Sequence, residues 1–202
     1  MIGGELARAL GLKVPELTLV DLDPVLGRAE PDPEIQDLIV GSAGLNLGVD
    51  FLPSALPFNP AAGFDPGPEL SADVIWLDAL ITNVDRTARN TNLLVWHDEL
   101  WLIDHGAALF FHHAASPDAE HARKPFPSIR EHVLLPFAGS IVDADARLGP
   151  RVTAELLETV VRDVPDDWLD DVGRPDYVAY LSRRLAAPRS FVEEAESARV
   201  GR

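Results

Sequence analysis

Two short apolar runs, residues 92–95 and 100–103, joined through His97-Asp98-Glu99, constrain this 202-residue chain more than any other stretch. Both are rich in branched and aromatic residues, so they read as strands, with the polar tripeptide as the turn of a hairpin. An antiparallel hairpin brings the start of its first strand beside the end of its second. Asn90, just before the hairpin, and Asp104, in the Asp104-His105-Gly106 segment just after it, therefore meet at one open end. Asp85 lies in the polar loop that feeds the first strand.

That grouping suits a definite chemistry. A hard cation such as Mg²⁺ takes a few protein oxygens and completes its shell with water and substrate phosphates. The Asp104 carboxylate and the Asn90 amide oxygen meet that need. Asp85 is placed to accept a hydroxyl proton, or to orient the hydroxyl for attack on a phosphoryl group. Taken singly, Asp and Asn are ordinary turn formers, and Asp104-His105-Gly106 merely ends a strand. The ordered set, with a hairpin between its parts, is what points to function.

The stretch from Asp85 to Gly106 resembles the catalytic segment of the HipA-like kinases and, more distantly, of the phosphoinositide kinases, where an Asp-Arg-x-x-x-Asn loop precedes an Asp-x-Gly. The resemblance implies that Asp85 is the catalytic Asp, Asn90 the metal ligand of the loop, and Asp104 the ligand of the Asp-Phe-Gly position, with ATP and Mg²⁺ as cofactors. Asn92 is a second amide able to share or take over the ligand role. Thr87 stands where these relatives usually have His, and His105 replaces the middle Phe. The implied fold is α+β and protein-kinase-like, a mostly helical C-lobe carrying the catalytic hairpin, with a truncated N-lobe.

Leu70-Ser71-Ala72, followed by apolar residues at helical spacing through Ile81, predicts a Ser-capped helix that delivers the chain to the loop, with Trp76 in the core. Residues 1–10 read as a helix stopped by Gly11, and 14–20 as a strand, which resemble helix C and the following strand of a kinase N-lobe. Residues 45–52 then become the strand leading to the hinge, with Asp50, Phe51 and Leu52 near an adenine pocket. By this reading residues 1–53 are the remnant of an N-lobe and 54–202 a C-lobe, with the catalytic loop at 83–92 and the metal-binding segment at 104–106. Residues 23–33 and 53–68 are Pro-, Gly- and Asp-rich loops flanking a helical patch at 34–42. Helices are expected at 128–137, 150–164, 166–172 and 176–185, followed by a polar final helix, with Trp168 and Tyr177 packing them together.

A kinase phosphate site also needs a glycine-rich turn and a strand Lys, paired with a Glu on helix C. The only lysines are Lys13, in the turn after the first helix, and Lys124, beside Pro125. Neither has a strand context, and Glu5 lacks its usual partner. The chain thus reads as a C-lobe plus the rear of an N-lobe, expected to be inactive or incomplete by itself.

Composition narrows the alternatives. A net charge of −16 argues against a basic face for nucleic acid or an anionic membrane. With no cysteine there are no disulfides and no thiolate metal sites. No apolar run approaches spanning length and no basic-then-apolar leader opens the chain, so a cytoplasmic location is expected. Three functions remain: a phosphotransferase acting on a hydroxyl of a protein or small molecule, a non-catalytic binding module that keeps the metal corner, and a hydrolase built on His97, His105, His112, His113, His121 and His132 with Asp104. Adjacent His112 and His113 on a strand point to opposite sides, which disfavours the last. In the kinase reading they follow Gly106 in the activation region, where Ser116 is the available hydroxyl.

Overall fold

The computed structural model describes residues 1–109, 121–169 and 172–201. They group into two units, one of Met1–Val14 with Ser54–Arg202 and one of Pro15–Pro53. The first helix therefore belongs with the larger unit, while the boundary at 53/54 coincides with one edge of the smaller.

The larger unit is built around helix α3, Pro68–Leu80, which runs from an N-cap at Gly67. Val74, Ile75, Trp76, Leu77, Ala79 and Leu80 are all inaccessible to solvent. A helix apolar on every side has no solvent face to present and must lie in the interior. Its start corrects the expected Ser71 cap. Pro68, whose fixed φ favours the first helical turn, opens the helix four residues earlier, and Ser71 is buried inside it. Trp76 donates from Nε1 to Asp145 Oδ1 at 2.8 Å and meets Phe191 edge-on at 5.9 Å between centroids.

Around α3 pack α4 (Ile141–Leu148), α6 (Arg174–Leu185) and α7 (Ser190–Val200); α5 (Ala154–Arg162) lies against α6 and against α1 (Ile2–Ala9). Gly11, at φ +88°, stops α1 as expected. Ser140 caps α4 by accepting from Asp143 N, and Thr153 caps α5 by accepting from Leu156 N. The sequence reading had no helix at α4 and a continuous one over 128–137. The latter is instead two 3₁₀ turns, Pro127–Glu131 and Leu135–Phe137. Between them Val133 N donates to Arg86 O at 3.1 Å and His132 bridges to Thr87, so this backbone is spent on the loop that follows α3 rather than on a helix. Only a 3₁₀ turn, Asp166–Trp168, stands in the described part of 166–172.

The strands Leu93–Trp96 and Glu99–Leu102 form the expected hairpin, in the register Leu93↔Leu102 to Trp96↔Glu99. The turn is two residues, His97 and Asp98, both left-handed at φ +50° and +58°, and Glu99 joins the strand. Such a turn matches the strand twist. The expected loop at 53–68 contributes a third strand, Leu56–Pro57, pairing Leu56 with Val95. Pro57 is tolerated because that strand is an edge. On the other side Leu102 N donates to Lys13 O at 2.8 Å.

The smaller unit pairs two antiparallel strands, Leu17–Leu22 and Gly44–Val49, in the register Leu17↔Val49 to Leu22↔Gly44. Between them lie a 3₁₀ turn, Pro24–Ala29, capped by Asp23, and helix α2, Pro33–Gly41, capped by Asp32. The second strand ends at Val49, earlier than expected. Asp50 N still donates to Glu16 O at 2.8 Å, Phe51 is 81% exposed, and Leu52 is buried.

Candidate functional site

Helix α3 ends in a tight C-terminal turn, with Asn83 N donating to Asp78 O at 2.9 Å and Thr82 left-handed at φ +53°. A β-branched residue there is strained, which fixes the direction in which the following loop leaves. The loop then folds on itself. Thr87 N donates to Asn90 O at 2.9 Å, and Thr87 Oγ1 accepts from Arg89 N and Asn90 N at 3.3 and 3.4 Å. Thr87, in place of the His usual among the kinases resembled, thus closes the turn with its hydroxyl.

This folding returns Asn90 to Asp85. Asn90 Nδ2 donates to Asp85 Oδ2 at 2.7 Å, and Asn92 Nδ2 donates to the same oxygen at 3.3 Å. Three of the expected site residues are thereby joined through one carboxylate oxygen. Because each amide spends its nitrogen on Asp85, its own oxygen is left as an acceptor pointing elsewhere. Asp104 reaches the same hairpin end from the other strand: Ile103 N donates to Asn92 O at 3.1 Å, and Asp104 follows. Asn92 and Asp104 are both left-handed, at φ +47° and +48°, a conformation Asn and Asp tolerate better than most residues. Gly106 N donates to Asp104 Oδ1 at 3.0 Å, and a Cβ on Gly106 would sit 3.0 Å from that oxygen, so glycine leaves the carboxylate room to fold back. Asp85 is half-buried; Asn90 and Asp104 are exposed.

Beneath these groups lies a buried polar cluster that sequence reasoning missed. Asp78 is fully buried on α3. Its Oδ2 accepts from Arg86 Nε at 2.5 Å and faces His132 Nε2 at 2.9 Å, while its Oδ1 accepts from Asn83 Nδ2 at 3.0 Å. Leu134 N donates to His132 Nδ1 at 3.1 Å, so the ring proton sits on Nε2 and goes to Asp78. Burial alone would raise the Asp78 pKa, but the Arg86 guanidinium and the His132 hydrogen bond outweigh it and hold the carboxyl far below its ordinary range. Arg86 Nη1 donates onward to the carbonyl of Asn92 and, at 3.4 Å, to that of Ile103. A signal was available: a carboxylate in Leu77-Asp78-Ala79-Leu80, on a helix without a polar face, has to find partners inside.

His105 packs on α1, where a Cβ on Gly3 would meet its Cβ at 3.0 Å. Burial first, then the Arg86 charge, pushes this imidazole down to about 4, so the ring is neutral at pH 7 and fills the place of the expected Phe as an uncharged group.

The donor set of Asp104 with the Asn90 and Asn92 oxygens suits a hard cation such as Mg²⁺. The nucleotide phosphates are less well served. Lys13 ion-pairs with Glu99 at 2.5 Å and lies over the Trp101 ring, 5.6 Å from its centroid, and Lys124 sits in a surface loop. Asp50, Phe51 and Leu52 belong to the smaller unit. Among the described residues no three His, Asp, Glu or Cys side chains gather to hold a metal, and His112, His113 and Ser116 fall outside those residues. No described helix is long and apolar enough to cross a membrane.

The sequence model of the HipA-like kinases matches residues 1–183, and the chain belongs to that family. Among solved structures it is similar to the proinflammatory kinase CtkA of Helicobacter pylori, with a TM-score of 0.54 and 14% identity, over 99% of this chain and 85% of that one. At that identity the likeness concerns the fold, which is kinase-like and α+β. No curated protein matches the chain.

Proposed function

We propose that this HipA-like kinase chain carries the acceptor-activating and cation-holding half of an ATP- and Mg²⁺-dependent phosphotransferase whose acceptor is a hydroxyl, most simply of a protein Ser or Thr. The observation that supports it is the shared Asp85 oxygen, which holds Asn90 and Asn92 at 2.7 and 3.3 Å at the end of the hairpin that also delivers Asp104. Asp85 orients the acceptor hydroxyl and takes its proton; the two amides keep that carboxylate in one rotamer. Asp104, with Asn90 or Asn92, holds the cation. Bound ATP·Mg²⁺ would supply the phosphoryl group and the charge that neutralises it. Asp50, Phe51 and Leu52 are proposed to border the adenine, and the cytoplasm, where ATP is available, is the proposed compartment.

The engaged Lys13 favours a second reading, a non-catalytic binding module that keeps the cation corner but cannot hold ATP productively. Under either reading the 202 residues alone transfer phosphate slowly. Titrating ATP with and without Mg²⁺, then measuring single-turnover transfer to a generic Ser/Thr protein, tests both. Asp104→Asn should weaken nucleotide binding only when Mg²⁺ is present. Asp85→Asn should leave binding unchanged and slow transfer by about a hundredfold to ten-thousandfold. Equal loss of Mg²⁺-dependent binding in both variants overturns the assignment of Asp85.

A further inference from the structure

We propose that Asp78, which touches neither substrate nor cation, is the positioning residue of the cation corner, setting through Arg86 the separation between the Asn92 and Asp104 ligands. The proposal rests on the reading of those two residues as cation ligands given above.

The Arg86 guanidinium is shared between two jobs. Its Nε is fixed by Asp78 Oδ2 at 2.5 Å, with both side chains fully enclosed. Its Nη1 reaches the carbonyls of Asn92 and Ile103, the residues at the two strand ends where the candidate ligands emerge. A guanidinium is planar and rigid, so fixing one edge fixes the other. The carbonyl of Asn92 belongs to one ligand-bearing residue and that of Ile103 immediately precedes the other. Asp78 also grips the loop at its entry, accepting from Asn83 Nδ2 at 3.0 Å while Asn83 Oδ1 accepts from Asp85 N at 3.3 Å. One carboxylate thus ties the base-bearing loop to both strand ends.

The backbone at these ends needs such a tether. Asn92 and Asp104 both leave the ladder in the left-handed region, which an Asn or Asp side chain enters at some cost. In a plain hairpin the strand ends fray. Here the one ladder bond at this end, Ile103 N to Asn92 O at 3.1 Å, is backed by Arg86 on the same carbonyl. Burying an ion pair for stability alone is a poor bargain, since apolar residues of similar volume often do as well. Geometry at the neighbouring ligands gives this pair a reason to be ionic.

The test compares the 202-residue chain with Asp78→Asn and with Arg86→Lys, which keeps a charge beside Asp78 but loses the fork and serves if Asp78→Asn does not fold. Two readouts are taken on folded protein: hydrogen exchange of the Ile103 amide, and Mn²⁺ affinity in the presence of ATP by electron paramagnetic resonance. The expected result is exchange at Ile103 accelerated at least tenfold while Leu77 and Leu80 amides in α3 stay protected, with Mn²⁺ affinity down at least tenfold. The double variant Asp78→Asn/Arg86→Lys should lose no more affinity than Arg86→Lys alone, because both act along one path. An Ile103 amide unchanged in both variants overturns the proposal. So does accelerated exchange with unchanged Mn²⁺ affinity, or additive losses in the double variant. If the unaltered chain binds no Mn²⁺, the cation reading itself fails, and the Ile103 amide alone then decides whether Asp78 positions the strand ends.

Discussion

Helix α3 buries nine of its thirteen residues, whereas α2, nine residues long and carrying Ile35, Leu38, Ile39 and Val40, buries none. The contrast extends to the units that hold them. In residues 15–53 only Pro15, Gly27 and Leu52 are buried, and Leu26, Leu38, Val40, Val49 and Phe51 are all more than half or nearly half exposed. That unit is held by its ladder, by the Asp23 and Asp32 caps and by Gln36 Nε2 donating to Gly27 O at 2.9 Å. A two-stranded ribbon with such support is marginal. The larger unit instead encloses its apolar groups and can therefore also carry a buried charge cluster under the site. Polar precision at Asp85 and Asp104 is a property of the unit that has a core.

The largest effect expected from that contrast is at Trp76. Trp76→Ala removes a fully enclosed indole, its hydrogen bond to Asp145 and its contact with Phe191, and should lower the unfolding free energy by about 3–5 kcal/mol. Denaturant unfolding followed by far-ultraviolet circular dichroism measures it. A loss below about 1 kcal/mol would mean that α3 is not the element on which the larger unit depends.

A smaller effect comes from acid. Asp78 has a folded pKa depressed below its ordinary 3.8, through Arg86 and His132 acting against the cost of burial. A depressed carboxyl favours the folded state above the unfolded pKa, and that advantage is lost as pH falls below it. The stability gap between the unaltered chain and Asp78→Asn should therefore close progressively as pH falls below about 4. Acidic groups that do not face Asp78 are common to both proteins and cancel, whereas His105, which feels the Asp78 charge, does not. A gap that stays constant down to pH 2 would show that folding does not depress the Asp78 pKa.

How much of this was legible depended on whether the signal was local. The hairpin could be read because strand composition and a polar turn lie within twelve residues, and its geometry alone placed Asn90 and Asp104 at one end. The caps at Asp32, Ser140 and Thr153 are residue types that favour helix starts, yet the sequence reading takes none of them as a cap and has no helix after Ser140. What could not be read was the fate of 128–137. Its helical periodicity is real, yet His132 and Val133 bond to Thr87 and Arg86, some forty-five residues away, and that competition is invisible to any local pattern. Asp78 differs: its setting in Leu77-Asp78-Ala79-Leu80 and its partners Asn83 and Arg86 are local, and only His132, 54 residues away, lies beyond a local pattern. The Ser71 cap failed more simply, since Pro68 offered an earlier start.

The smallest effect should appear at Leu38, and it tests the other half of the comparison. Leu38 is 69% exposed in the middle of α2, which has no buried residue to pack against. Leu38→Ala exchanges one good helix former for another and deletes no enclosed contact, so stability should change by no more than about 0.5 kcal/mol. Hydrogen exchange gives the same comparison without a mutation: amides of the Leu17–Leu22 and Gly44–Val49 strands should exchange by local opening, far faster than those of α3, which should need global unfolding. Both measurements are made on the 202-residue chain at neutral pH. A loss of 2 kcal/mol or more at Leu38, or strand amides as slow as those of Val74 to Leu80, would mean that the apolar face of residues 15–53 is covered in solution and that the two units differ less than their burial implies.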